Sequence, residues 1–285
     1  MTSKSLCAAF LLLLGLPLRH ATSDAWAGQP AFPRYSLFNT QIRFLHSSEV
    51  GRVFKIFVNL PRGYRSEPER HYPSLYILDP AAHFGMITDL QRLFEDGRHI
   101  EPVITVGVGY ESVVSDTLRK YRSLDMTPTA TEEGTGGGPA FLAFLEKELI
   151  PFIEAEYRVD PEVRGYWGGS LGGLFGVYAL VERPELFNRV FLTSPVVAWD
   201  DGVLLKAEEK MAASRDQLPV RLYMAAGGQE NPEWMLQPMR RFAERLQKRG
   251  YAGLEVEIDI VEGENHHTIA PIGITRGLMR MFPRE

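Results

Sequence analysis

The 285-residue sequence has one cysteine, Cys7, close to its N-terminus. So little thiol excludes a disulfide framework, a cysteine-based metal site and a cysteine nucleophile from the body of the chain. Positive charge is not in surplus either. Against 36 Asp and Glu stand 31 Lys and Arg, for a formal net charge of −5. With no basic stripe, nucleic acid is excluded as an expected partner. The apolar run Leu6 to Leu18 falls short of the roughly 20 residues that cross a bilayer, so no stable membrane insertion is expected. No internal repeat and no long low-complexity linker is visible.

The N-terminus carries a leader pattern. Lys4 precedes the apolar run, and Ala25-Trp26-Ala27 supplies the small-x-small triplet that a signal peptidase reads. This predicts a signal peptide over residues 1–27 and a periplasmic or secreted mature chain. Cys7 would leave with the leader. Residues 28–285 then form a single domain.

Beyond residue 50, short β-rich runs alternate with longer helical ones. "RVFKIFVNL" (52–60), "SLYILD" (74–79), "PVITVGVG" (102–109), "RGYWGGS" (164–170), "RVFLTSP" (189–195), "VRLYMAAGG" (220–228) and "LEVEIDIVEG" (254–263) read as strands. Helical spacing is seen in "ITDLQRLFED" (87–96), "PAFLAFLEKELIPFIEAEY" (139–157), "LGGLFGVYALVERP" (171–184), "PEWMLQPMRRFAERLQKRG" (232–250) and "IGITRGLMRMF" (272–282). Such alternation predicts an α/β fold, a mostly parallel sheet with helices on both faces. The first strands are expected as an antiparallel edge. Residues 110–138 and 196–203 lack a clear period and are expected as loops near a site.

Residues 166–176 read "YWGGSLGGLFG". Gly168, Ser170 and Gly172 fit G-x-S-x-G, with an apolar strand before and a helix after. That context makes Ser170 a candidate nucleophile on a sharp strand-to-helix turn. The backbone N–H of Leu171, at the helix start, is positioned to meet a developing oxyanion. Of seven histidines, His266 and His267 follow the last strand. A loop there can reach back over the strand ends, so His266 is the expected base and His267 the alternative. The orienting acid should follow a strand lying between serine and histidine. Glu230 is favoured over Asp200 and Asp201, and a serine–histidine dyad stays open. After "SLYILD", Pro80 has no N–H, which leaves Ala81 N–H as second oxyanion donor.

Several stretches resemble the "Putative esterase" family of α/β-hydrolases, the branch that includes the trilactone siderophore esterases. They are "YPSLYILDP", "RSLDMTPT", the elbow region from "FLAFLEKELIPF" to "VFLTSP", and "GENHHTIAP". The likeness runs from about residue 36 to residue 283. It implies an α/β-hydrolase fold, ester hydrolysis without a cofactor or metal, and roles for Ser170, His266 and Leu171. Its acidic position falls on Glu230. Pro80 stands where the family usually has glycine, and "SPVVAWDDG" departs from its S-P-S-x-W-W. A siderophore substrate would be an anionic small-molecule ester. Arg119, Lys120 and Arg122 could supply cations, and Tyr121, Trp199 and Trp234 aromatic contacts. A general esterase, an acyltransferase or a non-catalytic binding protein would share the scaffold. Nothing in the sequence specifies an oligomeric state.

Overall fold

The structure, a computed structural model, describes residues 36–112 and 114–284. The leader expected over residues 1–27 lies outside them. The described residues contain eight strands: β1 (Thr40–Ser47), β2 (Arg52–Asn59), β3 (Tyr72–Leu78), β4 (Ile104–Tyr110), β5 (Val159–Gly169), β6 (Arg189–Thr193), β7 (Arg221–Gly227) and β8 (Glu255–Val261). They form one sheet in the order β1-β2-β4-β3-β5-β6-β7-β8. The β1–β2 and β2–β4 pairs are antiparallel and all others parallel. This is the mostly parallel sheet with an antiparallel edge that the alternating pattern predicts.

The central strands read as nearly continuous apolar runs because both faces are covered. Tyr166 and Trp167 are neighbours on β5, fully buried on opposite sides. Tyr166 joins the core beneath the helices α3 (Gly138–Phe144), α4 (Ile150–Glu156), α5 (Leu171–Glu182) and α7 (Gln237–Arg249). Trp167 joins the core beneath α1 (Pro80–Asp96) and α8 (Ile269–Met281).

Besides β1, which precedes the first strand expected at 52–60, three stretches differ from the sequence expectation. The long helix expected over 139–157 contains a wider turn, Leu145–Leu149, in which Ile150 N–H donates to Leu145 O. Pro151 follows it, and the wider turn moves backbone away from a ring that clashes in a regular helix. The expected loop at 110–138 contains an eleven-residue helix, α2 (Ser115–Asp125). Only Asp125 of that helix is buried, so it has no apolar stripe to read. Asp125 pairs with Arg52, whose guanidinium lies over the Tyr121 ring, and these contacts dock α2 on the sheet. The expected loop at 196–203 enters α6 (Trp199–Ser214) through the left-handed residues Asp200, Asp201 and Gly202.

Candidate active site

The turn at Ser170 is the geometric centre. Its φ of 57° and ψ of −117° lie outside the ordinary regions for a side-chain-bearing residue, a strain of roughly 1–3 kcal/mol that the surroundings must hold. Ser170 N–H donates to Thr193 O at 2.9 Å, and Leu174 N–H donates to Ser170 O at 2.9 Å. The buried Tyr166 hydroxyl donates to Gly172 O at 2.6 Å and pins the first turn of α5. Two glycines make this turn possible. A Cβ on Gly168 would stand 2.3 Å from Gly172 O, and one on Gly176 would stand 2.5 Å from the Tyr166 ring. A Cβ on Gly172, by contrast, would have its nearest neighbour at 3.6 Å. The second glycine of the motif therefore has room to spare.

Strands β7 and β8 are parallel neighbours, so the loops after them meet although 36 residues separate Glu230 from His266. His266 Nε2 lies 3.1 Å from Ser170 Oγ. His266 Nδ1 lies 2.7 Å from Glu230 Oε2. The other carboxylate oxygen accepts from Ser194 Oγ at 2.5 Å and from Gly227 N–H at 2.8 Å. Burial alone would raise the Glu230 pKa. The hydrogen bonds from His266, Ser194 and Gly227 outweigh it and hold the carboxyl below its ordinary value. An ionised Glu230 fixes the proton on His266 Nδ1 and leaves Nε2 free to accept from Ser170.

The alternatives separate cleanly. The His267 ring lies edge-on to His266 with centroids 5.8 Å apart, and it hydrogen-bonds neither Ser170 nor Glu230. Asp200 and Asp201 sit in the left-handed entry to α6 rather than against His266. The His266 loop is itself fixed: Asn265 Oδ1 accepts from His267 N–H at 2.9 Å and Thr268 N–H at 3.3 Å.

Leu171 opens α5, and Ala81 is the second residue of α1. Both N–H groups fall in first turns, where a helix leaves donors without intrahelical carbonyls and carries partial positive charge. Asp79, just before α1, is left-handed (φ 51°, ψ 46°) and precedes Pro80. Arg122 holds it there: Nε donates to both Asp79 carboxylate oxygens at 2.9 Å, while the guanidinium also donates to Gly169 O at 3.3 Å. One side chain thus ties the β3–α1 turn to the elbow.

Two hollows flank Ser170. One, of about 550 Å³, is lined by Ser170, Glu230, Trp234, His266 and His267. The other, of about 460 Å³, contains Ala81, Arg119 and Arg122. Both arginines are already engaged, Arg119 with Asp116 and Arg122 with Asp79. Trp234 is half-exposed at the first hollow. Trp199 lines neither; its Nε1 donates to Thr129 Oγ1 at 3.1 Å and its ring packs on the core. Among the described residues no cluster of three or more His, Cys, Asp or Glu could hold a metal ion, and no helix is long and apolar enough to cross a membrane.

The sequence model of the "Putative esterase" family matches residues 47–268. The chain belongs to this family. The esterase is 28% identical over 264 residues to the ferri-bacillibactin esterase BesA of Bacillus subtilis (strain 168), covering 86% of this chain and 90% of that one. It is 26% identical over 273 residues to the siderophore triacetylfusarinine C esterase of Aspergillus fumigatus, covering 84% and 92%. Among solved structures, an IroE-like serine hydrolase from Shewanella oneidensis superposes with a TM-score of 0.73 at 27% identity, covering 85% of this chain and 80% of that one. The esterase is a serine hydrolase with the α/β-hydrolase fold.

Proposed function

We propose that the esterase cleaves siderophore esters of the trilactone class through an acyl-serine at Ser170. One observation carries the reading: the unbroken run of contacts from Glu230 through His266 to Ser170. Ser170 Oγ attacks the ester carbonyl as His266 Nε2 takes its proton. Glu230 stabilises the imidazolium without taking the Nδ1 proton. The oxyanion forms against the N–H groups of Leu171 and Ala81, each such donor being worth about 3 kcal/mol of barrier. The tetrahedral intermediate collapses, the C–O bond to the alcohol breaks, and that oxygen leaves with the proton from His266. Water, deprotonated by the same imidazole, then releases the acid and restores Ser170. The names of the relatives, a ferri-bacillibactin esterase and a siderophore triacetylfusarinine C esterase, support the substrate class. The leader pattern supports export of residues 28–285 as one domain.

Incubation with a tricatechol trilactone, ferric and iron-free, tests this by mass spectrometry. The expected products are the linear trimer, dimer and monomer, each cleavage adding one water, with Ser170→Ala at least about 10³-fold slower. An intact trilactone in both forms, alongside turnover of simple aryl esters, would contradict the substrate class.

A further inference from the structure

The two hollows lie on opposite flanks of Ser170. Its strand, β5, is central, and His266, Glu230 and Trp234 follow β7 and β8 on one flank. The second hollow is built on the other flank from the ends of β2 and β4 and the start of α1. The flanks are chemically unequal. The departing alcohol must receive its proton from His266 Nε2, so the alcohol lies on the His266 flank. The acyl group retained on Ser170 then extends the opposite way, past the oxyanion donors and into the second hollow.

That hollow, at about 460 Å³, matches the size of ordinary small-molecule sites. Its walls include Phe57, Pro80, Ala81, His83, Tyr110 and Leu118. At its base β4 carries Gly109 opposite Lys55, which lets Pro80 at the start of α1 close onto the sheet; a Cβ there would stand 2.9 Å from Pro80 Cγ. The Phe57 ring gives an aromatic guest an apolar wall, whereas the Tyr110 ring turns to the other face of the sheet against Phe54 and Tyr121. Burial lowers the His83 pKa, with Asp79 opposing and Arg122 reinforcing the shift, so this ring adds no charge near neutrality. Arg119 and Arg122 are compensated by Asp116 and Asp79. Lys55 is different. Its Nζ stands 5.2 Å from the Phe57 ring centroid, and none of the ion pairs among the described residues includes it. An uncompensated ammonium beside apolar walls favours a guest that brings the counter-charge.

We infer that the hollow on the β2–β4 flank is the acyl subsite and takes an anionic aromatic acyl group, selected by Lys55. The inference rests on the ester-hydrolysis reading above. A catecholamide is one such group: each unit of a catechol trilactone is the acyl half of one ester and the alcohol half of the next, so every scissile ester brings a ring on its acyl side that can enter here.

The test uses three esters and three enzymes, the wild type, Lys55→Gln and Lys55→Arg. N-(3-sulfobenzoyl)serine ethyl ester carries a permanent anion on the acyl side. N-benzoylserine ethyl ester lacks it. 3-Sulfobenzyl acetate carries it on the alcohol side. In the wild type, kcat/KM for the first over the second is expected to favour the anion by about ten-fold or more, and Lys55→Gln should reduce that preference by about five- to ten-fold, mainly through KM. Lys55→Arg should restore most of it. A preference unchanged in Lys55→Gln overturns the subsite while ester hydrolysis stands. A loss confined to 3-sulfobenzyl acetate overturns the acyl assignment. No turnover of any of the three by the wild type overturns the ester-hydrolysis reading itself.

Discussion

Replacing Glu230 by Gln preserves size and all but one oxygen, yet it should remove most of the activity. Glu230 Oε1 accepts from Ser194 and Gly227 at 2.5 and 2.8 Å. Those two bonds fix which atom of the new amide turns inward: its oxygen takes the Oε1 place and its NH₂ faces His266. An NH₂ donates, so Nδ1 must become an acceptor and the imidazole proton moves to Nε2. Nε2 then points a hydrogen at Ser170 Oγ and can no longer take one. The imidazolium also loses the negative charge that lies 2.7 Å from it. The same change in a chymotrypsin-type triad costs about 10⁴ in kcat, and a loss of about 10³–10⁴, or roughly 4–5.5 kcal/mol of barrier, is expected here. Steady-state hydrolysis of 4-nitrophenyl acetate measures it, with KM nearly unchanged and a thermal melt to confirm folding. A folded Glu230→Gln enzyme within about three-fold of the wild-type kcat would refute the reasoning and mean that Ser170 and His266 work as a dyad.

Two further perturbations probe the surroundings. Gly168→Ala drives a Cβ to 2.3 Å from Gly172 O, backbone that cannot give way without moving the start of α5, whereas Gly172→Ala meets nothing nearer than 3.6 Å. The first should cost about 10²-fold or more in kcat and about 1–3 kcal/mol in stability; the second should leave the melt within roughly 1 kcal/mol, and equal losses from the two would discredit this geometry. Away from the site, burial pushes the Glu95 carboxyl up to about 7, against the hydrogen bonds from Arg62 and Val103. Its folded pKa lies above the unfolded value of about 4.3, so the folded state holds a proton that the unfolded state releases, and stability falls as pH rises between the two. Glu95→Gln should therefore stabilise the fold at pH 8 by on the order of 1–2 kcal/mol after allowance for partial exposure, read as a higher Tm, and change Tm little at pH 4. A Tm gain independent of pH would contradict this.

The sequence reveals most where burial on both faces writes continuous apolar strands, as in β3 to β7, and where a glycine pattern has a steric cause, as at Gly168. It reveals less where an element has no conventional face. Strand β1 places Ile42 and Phe44 on its exposed side and Arg43 on the other, the reverse of the alternation that marks a half-buried strand. Helix α2 is docked by two ion pairs, Asp125 with Arg52 and Arg122 with Asp79, and by aromatic contacts rather than by a stripe. Chain order narrows the acid to Glu230, Asp200 or Asp201, and the family resemblance falls on Glu230. The Ser194 hydroxyl that completes its environment comes from β6's far end, a contact that no spacing announces. Arg122 and Arg119 stand at the hollow as their charge suggests, but partners on α1's turn and on α2 take up that charge. Lys55 carries the uncompensated charge instead. In an alternating strand it reads as an ordinary solvent-facing residue, and the sequence gives no other signal for it.

The central claim is that Ser170, set up by His266 and Glu230, carries the acyl group. The most direct measurement is active-site labelling with an organophosphorus fluoride, followed by intact mass and peptide mapping. One adduct per chain is predicted, on Ser170 alone, formed at least about 10²-fold more slowly in His266→Ala and absent in Ser170→Ala. Stoichiometric labelling that persists in folded Ser170→Ala, or no labelling of an enzyme that still hydrolyses esters, would contradict the account.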